Sequence, residues 1–274
     1  MVKLLTKKYS DTSTIIMADI ALANYDRRAD FYDLEFNDTT DRTLVESLIS
    51  IDTKRILEIP SGSGRNMWLA DSSSTVVFAD LSQAMVDHVS YKLKAANLQH
   101  SKATAVQADM TSFNLGSFDL ILVPREGFQM LPKSLAADAL MNLSNGLTAN
   151  GLLYIDIAKL NSPQADARLP KYILEQDGSL HLDLNKQISD KYIVRHHQSI
   201  YKDGQLHVIF KYKVQHESEE EDFVSRFELE DYSVSEFDEL VRSAGLKIET
   251  VYGNYDKEEY SEESSRMIFL LRRV

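Results

Sequence analysis

Residues 56 to 65, ILEIPSGSGR, constrain this chain more than any other stretch. An apolar run ends in Glu58 and flows into a Gly62-Ser63-Gly64 turn, after which a helical pattern begins. Glycine takes positive φ without penalty and lets backbone approach a ligand closely, while the first N–H groups of the following helix point toward it. Two further apolar runs, TVVFAD and ATAVQAD, end in Asp80 and Asp109. Three successive strand ends thus deliver carboxylates to one rim of a sheet, the rim where open α/β sheets bind ligands.

Around this segment, from residue 54 to 159, strand and helix patterns alternate, which predicts a parallel sheet with helices on both faces. Strands are expected at 54–59, 76–80, 103–108, 118–123 and 151–158, and helices at 64–70, 82–97 and 133–146. Upstream, residues 15 to 50 have helical spacing through Ile16, Ile20 and Ala23, with a second helix over 43–49. Downstream, residues 171 to 229 alternate in period two and hold two hairpin signals, Asp177-Gly178 and Asp203-Gly204. After the second signal, Leu206, Val208, Phe210, Tyr212 and Val214 share one face, with His207, Ile209, Lys211 and Lys213 on the other. A helix over 233–244 then stops at Gly245, and strands follow at 247–252 and 266–272. The chain reads as one domain: a helical cap (1–50), a ligand-binding core (51–160), an antiparallel insertion acting as a lid (161–230) and the end of the core (231–274).

The motifs resemble, one after another, those of the class I S-adenosylmethionine-dependent methyltransferases over residues 25 to 159. ILEIPSGSGR is similar to their first motif, FADLSQAMVDHV to the second, VQADMTSF to the third and FDLILVP to the fourth. The resemblance implies a Rossmann-like seven-stranded sheet and S-adenosylmethionine as cofactor, with S-adenosylhomocysteine as product. It further implies that the turn Gly62, Ser63, Gly64 holds the methionine part, Asp80 the ribose hydroxyls, and Asp109 with the Met110 backbone the adenine edge. Glu58, Leu81, Met85 and Pro124 complete the implied cofactor set. The leading segment would close over the cofactor, with Tyr25 and Tyr32 as contacts or, alternatively, as amphipathic rings packed on the core. One departure stands at Pro60, where the family usually carries glycine; proline fixes φ and removes a donor there.

The residues also argue against the nearest rival, a dinucleotide-binding unit. That unit needs a third glycine where this chain has Met67. Glu58 would repel a diphosphate, whereas a sulfonium with an ammonium group is attracted by it.

Composition narrows the partners. No run approaches the length of a membrane helix, and the start MVKLLTKKYSDTS lacks a signal peptide's apolar stretch, so a soluble cytoplasmic protein is expected. The absence of cysteine removes disulfides and thiol nucleophiles, and no histidine spacing suits a metal. The net charge is −12, and residues 175 to 263 account for it with 22 acids against 10 bases. That sign argues against nucleic acid as substrate. A small-molecule substrate is expected, and a homodimer stays open.

Methyl transfer chiefly needs alignment of the nucleophile and removal of water, with a base where the nucleophile carries a proton. Glu126 and Arg125, just past the fourth strand, are candidates: Glu126 as substrate ligand or base, Arg125 as holder of a carboxylate on cofactor or substrate. An ion pair steadying the loop is the alternative for both. Of the seven histidines five fall between 181 and 216, and His196 and His197 point to opposite faces of one strand, so at most one faces a ligand. The tail VYGNYD followed by RMIFLLRR is similar to that of bacterial amino-sugar N-methyltransferases. The resulting expectation is methylation of a small metabolite at nitrogen or oxygen. Methylation at carbon and a non-catalytic S-adenosylmethionine-binding regulatory module are the alternatives.

Overall fold

The computed structural model describes residues 26, 28, 29, 31–33, 38–96, 102–161, 168–188 and 190–274. Eleven strands form two sheets among these residues. The first sheet contains β1 (Arg55–Glu58), β2 (Thr75–Asp80), β3 (Ala103–Gln107), β4 (Phe118–Val123), β5 (Leu147–Ala158), β10 (Leu246–Tyr252) and β11 (Arg266–Arg273). Its order is β10-β11-β5-β4-β1-β2-β3, with β11 the antiparallel member beside β5. The seven strands expected from the sequence are the seven strands of this sheet, although β5 begins earlier, at Leu147.

Its two faces are filled by alternate residues of the same strands, as burial on both sides requires. Leu57, Val77, Ile121 and Leu153 pack against Ala136 and Leu140 of α3 (Lys133–Asn145) and Phe237 and Val241 of α5 (Val234–Ser243). Ile56, Val76, Leu120 and Leu122 pack instead against Leu44 and Val45 of α1 (Arg42–Glu46) and Val89 and Leu93 of α2 (Gln83–Ala95). Ser82 caps α2 by accepting the Met85 N–H at 3.2 Å, and Ser233 caps α5 in the same way from Glu236.

The second sheet is the antiparallel insertion, in the order β6 (His181–Ile188), β7 (Lys191–Lys202), β8 (Gln205–His216), β9 (Glu219–Glu230). Asp203 and Gly204 turn β7 into β8 with φ of 54° and 80°, the left-handed pair that a two-residue hairpin needs. Leu206, Val208, Phe210, Tyr212 and Val214 are all buried on one face, as the alternation predicts. That face packs on Leu160, Leu169, Phe31 and on Tyr172 and Ile173 of the short helix α4 (Lys171–Leu174).

Three expectations are corrected. Asp177-Gly178 makes no hairpin: Gly178 donates to the Ser199 carbonyl, so the turn lays the incoming chain on β7 before β6 begins. Residues 171–174 are helical rather than extended, started by Pro170. The helix expected at 64–70 is a five-residue 3-10 segment, Met67–Asp71, because Gly64 takes a φ of 86° and the run of serines from residue 72 ends it. No helix N-terminus therefore points from this turn into the rim. Residues 1–25 lie outside the described residues, so the cap is represented by helical residues between 26 and 33 and by α1.

Candidate active site

The C-terminal ends of β1, β2 and β3 lie side by side, with Glu58 in register with Phe78 and Asp80 with Gln107. Both carboxyls are buried. Glu58 Oε1 accepts from Asn66 Nδ2 at 2.8 Å, and Oε2 has no partner among the described residues. Burial pushes its pKa up to about 8, against the pull of Arg65 and the Asn66 hydrogen bond. Asp80 is pushed up to about 6 by burial, opposed by backbone N–H groups of Ser82 and Gly62, which it accepts at 2.9 and 2.8 Å. Asp80 thus fixes the glycine turn as well as standing at the rim. Gly62 has a φ of 53°, and a Cβ there would come within 3.0 Å of the Tyr32 ring.

A cavity opens from this turn. Glu58, Pro60, Ser61, Gly62 and Arg65 form one side. Pro124, Arg125, Glu126 and Gly127, from the loop after β4, form the next, and Tyr172, Phe227 and Leu229 bring in the antiparallel insertion. Arg28 and Tyr32 of the cap and Met130 complete it. The Arg28 guanidinium lies 4.8 Å over the Phe210 ring and 5.2 Å over that of Phe227, tying cap to insertion. The post-β4 loop is held tightly: a Cβ on Gly127 would meet Pro60 Cδ at 2.8 Å and the Pro124 carbonyl at 2.9 Å.

Arg125 and Glu126 both take left-handed backbone, with φ of 41° and 34°. For residues with long side chains such conformations persist only where the surroundings enforce them, and they concentrate at functional sites. The surroundings are ionic. Glu126 Oε1 receives both terminal nitrogens of Arg266, from Nη1 at 2.7 Å, while Oε2 has no hydrogen-bond partner among the described residues. Arg266 also donates to Asp156 at 3.2 Å and to the Tyr255 hydroxyl at 2.8 Å, and that hydroxyl donates to Asp156 at 2.8 Å. Burial raises the Glu126 pKa, with Arg266 opposing. Arg125 donates to Asp38 at 2.8 Å and Thr40 at 3.0 Å and lies 4.8 Å over the Tyr255 ring; its Nε has no hydrogen-bond partner among the described residues. Burial works against its charge, but Tyr255, Asp41, Asp156 and Glu126 outweigh it and hold the pKa above the usual value.

The structure therefore brings Glu58, Gly62, Tyr32, Pro124, Arg125 and Glu126 to one cavity. Asp80, Leu81, Met85, Asp109 and Met110 lie along the neighbouring rim outside its lining. There Leu81 is exposed, Met85 is fully buried, Asp109 accepts from Thr111 at 2.8 Å, and the Met110 carbonyl accepts from Asn142 at 3.1 Å. Ser63 and Gly64 also fall outside the lining; the Ser63 hydroxyl donates to Asp33 at 2.5 Å. Tyr25 lies outside the described residues.

The two histidines are not brought to the cavity. His196 sits half-buried on the outer face of β7. His197 is fully buried on the inner face, where Nε2 lies 3.2 Å from Glu175 and Nδ1 3.3 Å from Asp183, neither angle making a hydrogen bond. Sequence reasoning missed Arg28, Arg65, Asp41, Asp156, Tyr172, Tyr255, Phe227 and Arg266. A signal existed for one of them, since Asp156 interrupts an otherwise apolar strand, LLYIDIA.

The donor set suits the cofactor that the motifs imply. An unused buried carboxylate atom at Glu58 fits an ammonium group, and the glycine turn leaves no side chain where the ligand's amino-acid end would lie.

Comparison with known proteins agrees. Residues 56–151 match the family described as the methyltransferase domain. Curated protein sequences yield no match. An S-adenosylmethionine-dependent methyltransferase from Clostridium acetobutylicum is 17% identical with a TM-score of 0.69, covering 91% of this chain and 98% of that one. The CcbJ methyltransferase from Streptomyces caelestis is 16% identical with a TM-score of 0.70, covering 92% and 98%. A sugar N-methyltransferase from a Streptoalloteichus species is 18% identical with a TM-score of 0.65, covering 89% and 93%. Residues 56–151 thus match a methyltransferase domain, and the chain as a whole shares the fold of these S-adenosylmethionine-dependent methyltransferases.

Proposed function

We propose that this protein transfers the methyl group of S-adenosylmethionine to a nitrogen or oxygen atom of a small metabolite. What supports the reading is one cavity shared by the Glu58–Gly62 turn, the Arg125–Glu126 loop and the insertion's Phe227 and Leu229. When bound, the cofactor supplies a methyl on a cationic sulfur, which the acceptor's lone pair displaces with a neutral thioether leaving.

Glu58 and Gly62 hold the amino-acid end, Asp80 the ribose, and Asp109 with Met110 the adenine. Tyr32, Tyr172, Phe227 and Leu229 exclude water and align the acceptor, which supplies most of the acceleration such a displacement needs. Glu126, its Oε1 occupied by Arg266, offers Oε2 to an acceptor N–H or O–H and takes the proton as the new bond forms. Arg125 keeps Nε for a carboxylate of the ligands. His196 and His197, outside the cavity lining, carry no step. Nitrogen is the acceptor of the sugar and glycopeptide N-methyltransferases among the structural neighbours, and an amine is the acceptor to test first.

The test is incubation with S-adenosylmethionine and a metabolite extract, read by mass spectrometry. Stoichiometric S-adenosylhomocysteine and a singly methylated product are expected. Cofactor binding with neither product across such extracts would turn the reading to a binding module.

A further inference from the structure

The cavity holds a buried carboxylate with an unused atom, and beside it a guanidinium turned away. Glu58 is 1% exposed and its Oε2 is unpartnered among the described residues. Arg65 lines the same cavity and its charge acts on Glu58. Yet its two terminal nitrogens both go to Asp41, at 2.5 and 2.6 Å, and Nη1 also donates to the Asp38 carbonyl at 3.0 Å. Asp41 is 0% exposed and occupies the N-cap position of α1, where an aspartate ordinarily accepts from the helix backbone; its side chain makes no such bond. The carboxylate is committed to Arg65 instead, in the two-pronged geometry that makes such pairs strong.

We propose that Asp41 is a positioning residue that holds Arg65 away from Glu58, leaving the Glu58 carboxyl open for the ammonium group of the cofactor. The inference rests on the cofactor reading above. A guanidinium within reach of a buried carboxylate pairs with it unless a better partner is supplied, and a ligand ammonium would then have to displace that pair. The charged and titratable groups acting on Glu58 are Arg65, Asp41 and Asp80; Arg28, Arg125, Glu126 and Tyr32 line the same cavity. None of the latter four has a hydrogen bond to Glu58 among the described residues. Removing the Asp41 charge leaves Glu58 as a partner for Arg65 within that cavity.

The experiment is calorimetric titration of the full chain with S-adenosylhomocysteine, which carries the ammonium group, and methylthioadenosine, which lacks it. Wild type should bind both, and its affinity for S-adenosylhomocysteine alone should rise roughly fivefold to tenfold between pH 6.5 and 7.5 as Glu58 ionises. Asp41→Asn should weaken S-adenosylhomocysteine about tenfold at pH 7.5, the scale of one competing charge-assisted contact. It should also abolish the pH slope and leave methylthioadenosine unchanged. Asp41→Asn combined with Arg65→Gln should restore most of the affinity and the slope, because Arg65, the guanidinium whose charge acts on Glu58, is no longer there to compete.

Equal weakening of both ligands would make Asp41 a purely structural residue and overturn the proposal. So would an unchanged Asp41→Asn, or a double variant that stays weak. A wild type that binds methylthioadenosine but gains nothing from the ammonium group would instead overturn the cofactor reading at Glu58 itself.

Discussion

The two sheets solve opposite problems. The seven-stranded sheet is covered on both faces, so its inner strands are largely apolar with polar residues gathered at strand ends; Asp156 within β5 and the edge strand β10 depart from this. Glu58 and Asp80 are buried there with raised pKa values. The four-stranded sheet buries one face only, so apolar and polar residues alternate, and what it contributes to the cavity is Phe227 and Leu229. On the proposed function, the difference separates binding a charged cofactor from shaping room for an acceptor. The first depends on a few desolvated charges, and the second on area and shape.

That contrast breaks first at Arg266. Arg266→Met would leave Glu126 and Asp156 buried without their shared cation, a loss of about 3–5 kcal/mol. Denaturant unfolding checks it, and a cost like that of a surface pair would mean that the buried network is not ionic.

A smaller but pH-dependent effect is expected at Glu58. A carboxyl whose pKa is raised on folding contributes stability that is fully present below its unfolded value. That contribution is lost as pH rises toward the folded value, here from about 4.5 to about 8. Glu58→Gln should therefore gain stability over wild type by roughly 2–4 kcal/mol between pH 4.5 and 8 in the absence of cofactor, since one pKa unit is worth about 1.4 kcal/mol. The same variant should bind S-adenosylhomocysteine more weakly. Thermal melts across that range decide the matter, and parallel curves would refute the buried-acid account.

Phe227→Ala tests the other region. It should raise KM for the acceptor about tenfold, the worth of one aromatic contact, while cofactor affinity moves less than about twofold. Equal effects on both would make the insertion a support for the cofactor site rather than an acceptor wall. The smallest effects belong to the outer face of the insertion. His196→Ala and His207→Ala should each change stability by less than about 0.5 kcal/mol and leave turnover unaltered. His207 pairs with Glu228 at 3.0 Å, but the pair is screened by solvent, with His207 half-buried and Glu228 exposed.

The same contrast explains what was legible in the sequence. Parallel strands with acids at their ends announce a rim because the signal is local: each run, its terminal acid and its turn are contiguous. The alternation of β8 is local too, and it holds residue by residue. The Glu126 network was not legible, since Arg266 lies 140 residues away in the chain and joins only when β11 inserts beside β5. Arg65 reads as a helix residue after the glycine turn, and only the fold brings Asp41 to it. The histidines drew attention as residue types, but register set one outward and buried the other between Glu175 and Asp183.

A structure of the protein with S-adenosylhomocysteine tests the central claim most directly. The account predicts the amino group against Glu58, the amino-acid backbone along Gly62, the ribose at Asp80, and the sulfur open toward Glu126 and Phe227. A second hollow, lined by Asp26, Phe31, Val214, His216 and Phe223, offers the contrary result. A ligand seated there, with the Glu58 cavity empty, would contradict the account.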